Sequence, residues 1–181
     1  MMPDYPDWFF YPSRMHPPEW VGDLVGVIAS SREHIDSSTA SGVSSDAALA
    51  HLRNGLELVG FKVETGKGKA AKIHRPVLFG EKGTPLVSYE IDAWHEEHKI
   101  ALEIEASRGM KGNAFYRDLI RTPLIYDANF LAIGLMREYH HMSSGKPTIS
   151  RDYRDAKNQL DAIYASGRLQ FPFEGILLFG Y

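Results

Sequence analysis

Cysteine is absent from this chain of 181 residues, which excludes disulfides, zinc thiolates and thiol nucleophiles together. An excess of positive charge is missing too. Lys and Arg number 20 against 23 Asp and Glu, a formal net charge of -3, so any nucleic-acid surface has to be a local concentration of basic residues. No apolar run approaches a membrane span, so no membrane partner is expected. The opening MMPDYPDWFF is acidic and broken by proline, unlike the basic and apolar regions of a signal peptide. These absences predict a cytoplasmic protein. Length and ordinary apolar content predict a single domain over 1–181, with an N-terminal arm, helix and loop over 1–45 and a core over 46–181.

What the chain does have is concentrated between Ser88 and Asn113, SYEIDAWHEEHKIALEIEASRGMKGN. Strand alternation over Ser88–Trp94 places Tyr89, Ile91 and Ala93 on one face and Glu90, Asp92 and Trp94 on the other. Over Lys99–Glu105, Ile100, Leu102 and Ile104 share a face and Ala101, Glu103 and Glu105 share the opposite one. Pairing through the polar turn 95–98 would bring Asp92, Glu103 and Glu105 onto one face beside a buried core. Like charges that close raise one another's pKa and call for a cation. A hard divalent ion suits an all-oxygen set: Mg2+ is commonly held by one or two carboxylates together with substrate phosphates, which points to phosphodiester chemistry. Glu90 shares Asp92's face and is the alternative ligand.

Around this centre, five prolines among the aromatics of residues 1–18 predict an extended arm without regular structure. Trp20, Leu24, Val27 and Ile28 predict a helix from about Glu19 to Ser31 or Ile35, followed by a small-residue loop over 36–45. Ser45 is placed to cap a helix over 46–59, and Phe61 opens a strand. Lys62, Lys67, Lys69, Lys72 and Arg75 form the one basic concentration, with Glu64 as its single acid; it is either a solvated loop or a phosphate-tracking surface. Pro76–Phe79 is expected as the first strand of a three-strand meander with the two acidic strands. Beyond Ser107, Arg108 and Lys111 follow the acidic strand and could hold phosphate oxygens. Asn113 is expected to cap a helix with Phe115, Leu119 and later Tyr126 on its stripe, Arg117, Asp118 and Arg121 on its wet side, and Pro123 at its end. Residues 129–135 predict a central strand, 137–150 a loop, 153–165 a helix closed by Gly167, and 175–179 a buried strand. The sum is an α/β sheet of mixed strand direction flanked by helices.

Asp92, ten residues, then Glu103-Ile104-Glu105, set after a helix ending ELVGF and before one opening NAFYRDL, resembles the PD-(D/E)XK nuclease superfamily over roughly residues 46–135. That family normally carries Lys where Glu105 stands. Glu at this position is similar to the BamHI/BglII-like branch of type II restriction endonucleases. The resemblance implies a restriction-endonuclease-like mixed sheet flanked by helices. It also implies a Mg2+-dependent endonuclease of restriction or defence type that hydrolyses DNA phosphodiester bonds, with Mn2+ able to substitute.

In this resemblance Asp92 and Glu103 bind the metal and orient the attacking water, Glu105 binds metal or takes the water's proton, and Glu57 on the earlier helix is an outer ligand. DNA contacts fall to Arg108, Lys111, Arg117, Lys67, Lys69 and Lys72, with recognition through loops 36–45, 62–75 and 137–150 across a homodimer. The alternative from another class is a catalytically inactive nucleic-acid-binding or assembly protein of the same fold. A two-carboxylate glycosidase ranks last, because only Trp94 offers a sugar platform near the acids. His95 and His98, on a turn and without helical metal-ligand spacing, are expected to be exposed.

Overall fold

A computed structural model describes residues 4–39, 43–106, 109–110 and 112–181. Its centre is a six-stranded sheet made of β1 (Asp7–Tyr11), β2 (Phe61–Val63), β5 (Ala93–His95), β6 (Ile100–Glu105), β7 (Phe130–Leu135) and β10 (Gly175–Gly180), in the order β1-β10-β7-β6-β5-β2. Strands β6, β7 and β10 run parallel and the other pairs are antiparallel. Two hairpins stand apart from it, β3 (Ile73–Phe79) with β4 (Pro85–Ile91) and β8 (Tyr139–Ser143) with β9 (Lys146–Ser150).

Helices cover both faces because the central strands are apolar on both. Ile100, Leu102 and Ile104 pack with α1 (Glu19–Ser30), α2 (Arg32–Ile35) and α3 (Ser45–Leu58) on one side. Leu131, Ile133, Leu135, Ile176 and Leu178 pack with α4 (Ala114–Arg121) and α5 (Asp152–Ser166) on the other. In register, Glu103 lies beside Ile133 and Glu105 beside Leu135, so the acids of β6 emerge on the α4/α5 side.

Several expected elements take a different form. Residues 7–11 are a strand on the edge of the main sheet rather than an unstructured arm: between Pro6 and Pro12, DWFFY is free of proline and pairs antiparallel with β10. Residues 137–150 are a hairpin, closed by Ser144 and Gly145 at positive φ (51° and 76°), the backbone that a two-residue turn between twisted strands requires. The expected meander is also rearranged. Strands β3 and β4 pair only with each other, and β2 takes the place beside β5. Ser44, not Ser45, caps α3, its hydroxyl accepting the Ala47 N–H at 3.2 Å. Asn113 makes no side-chain cap and instead turns the chain into α4 at φ 62°. Tyr126 leaves the apolar stripe and lies edge-on to Phe79 at the surface. Among the described residues no helix is long and apolar enough to cross a membrane.

Candidate active site

The expected strand over 88–94 breaks at Asp92, and the break builds the site. Ile91 still pairs with Ile73 in the outer hairpin, whereas Ala93 pairs with Leu102 in the main sheet, so Asp92 stands where the chain passes from one sheet to the other. Its carbonyl accepts the Glu64 N–H at 2.9 Å, and its side-chain Oδ2 accepts the Ile104 N–H at 2.8 Å. A carboxylate held this way is fixed in orientation beside β6. The break also changes the alternation, because Ile91 and Trp94 now share one apolar cluster with Ile73, Ala101 and Ile125.

Glu103 is only 8% exposed, and no hydrogen bond to its carboxylate forms among the described residues. Burial first, then the charges of Asp92, Asp118 and Glu105, push its pKa far above the usual carboxylate range. Burial raises Asp92 to about 7, against the Ile104 hydrogen bond that favours its charged form, with Glu64 adding to the rise. Glu105 is pushed up to about 8 by burial, by the charge of Asp118 and by a side-chain hydrogen bond with it, while Arg117 opposes the shift. Asp118 is likewise raised by burial. Two cations answer these acids. Arg117 Nη2 meets Glu105 Oε1 at 2.6 Å while its Nε meets Asp118 Oδ1 at 3.0 Å, and Lys72 Nζ lies 2.8 and 2.7 Å from the two oxygens of Glu64.

The oxygen-only donor set, short of positive charge and holding one buried carboxylate without a partner among the described residues, fits a hard divalent cation. Among the described residues no three Asp, Glu, His or Cys side chains are arranged to hold a metal ion in the structure as it stands. The acids share a face and perturb one another, but Arg117 and the Ile104 N–H engage Glu105 and Asp92 first.

Of the other residues singled out by sequence, Glu57 is exposed on α3, which packs on the opposite face of the sheet from the acids. Lys67 pairs with Asp46 at 3.1 Å and Lys69 is exposed on a short 3-10 turn. Lys72 turns inward to Glu64, and Arg75 is tied to Asp127 and lies over the Trp94 ring, so the basic segment is not one continuous free surface. Arg108 and Lys111 lie outside the described residues. Glu90 is exposed on the outer hairpin, paired across from His74, rather than among the acids. His95 is buried, its Nε2–H donating to the Val59 carbonyl at 3.0 Å and its Nδ1 accepting from His98 N at 3.2 Å. A close approach explains this: a Cβ on Gly60, at φ 95°, would meet His95 Nε2 at 2.6 Å.

Two further acids, Asp118 and Glu64, join the cluster without a sequence signal for a site. The sequence predicts Asp118 on the wet side of its helix, yet it is 3% exposed and lies three residues after Phe115 and one before Leu119, on the apolar stripe itself. Glu64 follows β2 and is buried by contacts distant in sequence.

No family model and no curated protein sequence matches the chain. In three dimensions it is similar to the restriction endonuclease BglII solved in complex with a DNA 16-mer, at a TM-score of 0.51 and 14% identity, covering 97% of this chain and 77% of that one. The protein therefore has a restriction-endonuclease-like fold: a six-stranded mixed sheet flanked by helices, here with a crowded acidic face at the end of β6.

Proposed function

We propose that this chain is a Mg2+-dependent endonuclease that hydrolyses DNA phosphodiester bonds, of the PD-(D/E)XK type and with a role in restriction or defence. The observation that carries it is Glu103, buried and without a hydrogen-bond partner among the described residues, directly across the β5–β6 junction from Asp92, on a fold shared with a DNA-bound restriction endonuclease. Asp92 and Glu103 would hold the ion, with Glu105 joining them or taking the proton of the attacking water; Mn2+ would substitute. A bound divalent ion lowers the pKa of water and stabilises the charge that grows on the phosphoryl oxygens. The chain's own contribution is placement. The Ile104 N–H orients Asp92, the β5–β6 register sets Glu103 opposite it, and Glu105 sits in a site where burial raises its proton affinity. The exposed Lys69 and Arg117 are the described candidates for phosphate contact.

Incubating the protein with supercoiled plasmid and Mg2+ or Mn2+ tests this. Nicking or linearisation is expected from wild type and none from Asp92→Asn or Glu103→Gln. DNA retained without cleavage by wild type would favour the inactive binding protein instead, and equal background from all three would remove the nuclease.

A further inference from the structure

Arg117 occupies an unusual position for a phosphate contact. It is half-exposed, yet its guanidinium grips Glu105 Oε1 at 2.6 Å and both oxygens of the buried Asp118, at 3.0 and 3.3 Å. One cation thus spans the two acids on the α4 side of the cluster, while Glu103, 8% exposed, has no hydrogen-bond or ion-pair partner among the described residues. A fork-shaped guanidinium can satisfy two carboxylates at once, and a divalent ion needs the same oxygens. Both cannot hold Glu105 together without crowding like charges. Because 48% of the Arg117 side chain is exposed, it can leave toward solvent without repacking the core. Asp118 sits on the same helix and is 3% exposed, so α4 itself need not move.

We infer that Arg117 is a two-position residue: the internal counter-cation of Glu105 and Asp118 while the centre holds no metal, and a clamp on a substrate phosphate once a divalent ion has taken Glu105. This rests on the metal centre proposed above. Glu105 adds a negative charge to the cluster, and Arg117 supplies a positive one from the neighbouring helix. The arrangement also makes ion entry competitive, so that Glu105 leaves Arg117 only when the centre is loaded.

The two positions give effects of opposite sign, which a purely structural arginine would not. Titration of full-length wild type and Arg117→Gln with Ca2+, by calorimetry, is expected to show about fivefold tighter ion binding in the variant. Duplex DNA binding in the presence of Ca2+ is expected to weaken about tenfold, with a salt dependence shallower by about one counterion. Arg117→Lys keeps a charge but cannot grip both acids as a fork, so it should shift both affinities in the same directions by less. Melts in EDTA establish that the variants are folded. Ca2+ affinity that is unchanged or lower in Arg117→Gln overturns the inference, as does DNA affinity that does not fall. If wild type binds neither Ca2+ nor Mn2+, the metal centre itself is lost, a different failure from either of these.

Discussion

Glu103 is the residue on which burial and charge conflict most sharply. An ionised carboxylate with 8% exposure and no hydrogen bond from the described residues is destabilising wherever it stays charged, so Glu103→Gln should stabilise the protein in EDTA at pH 8 by about 1–3 kcal/mol, read from urea unfolding. The same physics sets a pH dependence. Asp92 at about 7 and Glu105 at about 8 stand above the ~4 of unfolded carboxylates, so the folded state binds more protons than the unfolded one. Their contribution to stability is therefore fully present below about pH 4 and is lost as the pH rises through about 8. Urea midpoints in EDTA should fall between pH 5 and pH 9, and Asp92→Asn should flatten that slope. A midpoint that rises over this range would contradict the assignment. Alternation alone is enough to place Glu103 and Glu105 on one face of β6; Asp92 stands outside the strands, between β4 and β5, so parity does not separate it from Glu90 and its position depends on the change of sheet. Asp118 was legible in principle as a charge on the Phe115–Leu119 stripe. Glu64 was not, since its burial depends on Asp92 and Lys72, which no local pattern brings near it.

At the level of elements, the acid strand is positioned by what lies beside it. A Cβ on Gly134 of β7 would stand 2.5 Å from the Phe179 ring and 3.1 Å from Ile104 Cδ1, the residue between Glu103 and Glu105. Gly134→Val should cost at least about 2 kcal/mol in a thermal or chemical melt through overpacking, with the loss centred on β6, β7 and β10. Amide exchange would locate it. The central strands β7 and β10 and the helices α1, α3 and α5 follow apolar periods strong enough to be read directly. The two hairpins are less legible for separate reasons. Residues 139–150 are polar and carry a proline at Pro147, which a two-stranded ribbon tolerates and a central strand does not. Strand β4 runs into β5 with only Asp92 between them, so a change of sheet looks in sequence like one continuous strand.

For the molecule as a whole, a net charge of -3 and a cluster with more acids than the two cations that answer them make the approach of DNA unfavourable until a further cation is bound. Affinity for duplex DNA should therefore be low in EDTA and rise by an order of magnitude or more, ~10-fold, when Ca2+ is added, with Asp92→Asn losing that gain. Fluorescence anisotropy with a labelled duplex checks it; equal affinity with and without the ion would count against the coupling. The centre itself is tested most directly by diffraction from crystals grown with Mn2+, recorded at the manganese edge. An anomalous peak about 2.1–2.3 Å from carboxylate oxygens of both Asp92 and Glu103 is the expected result. Ordered Asp92 and Glu103 side chains with no peak between them, at saturating Mn2+, would contradict it.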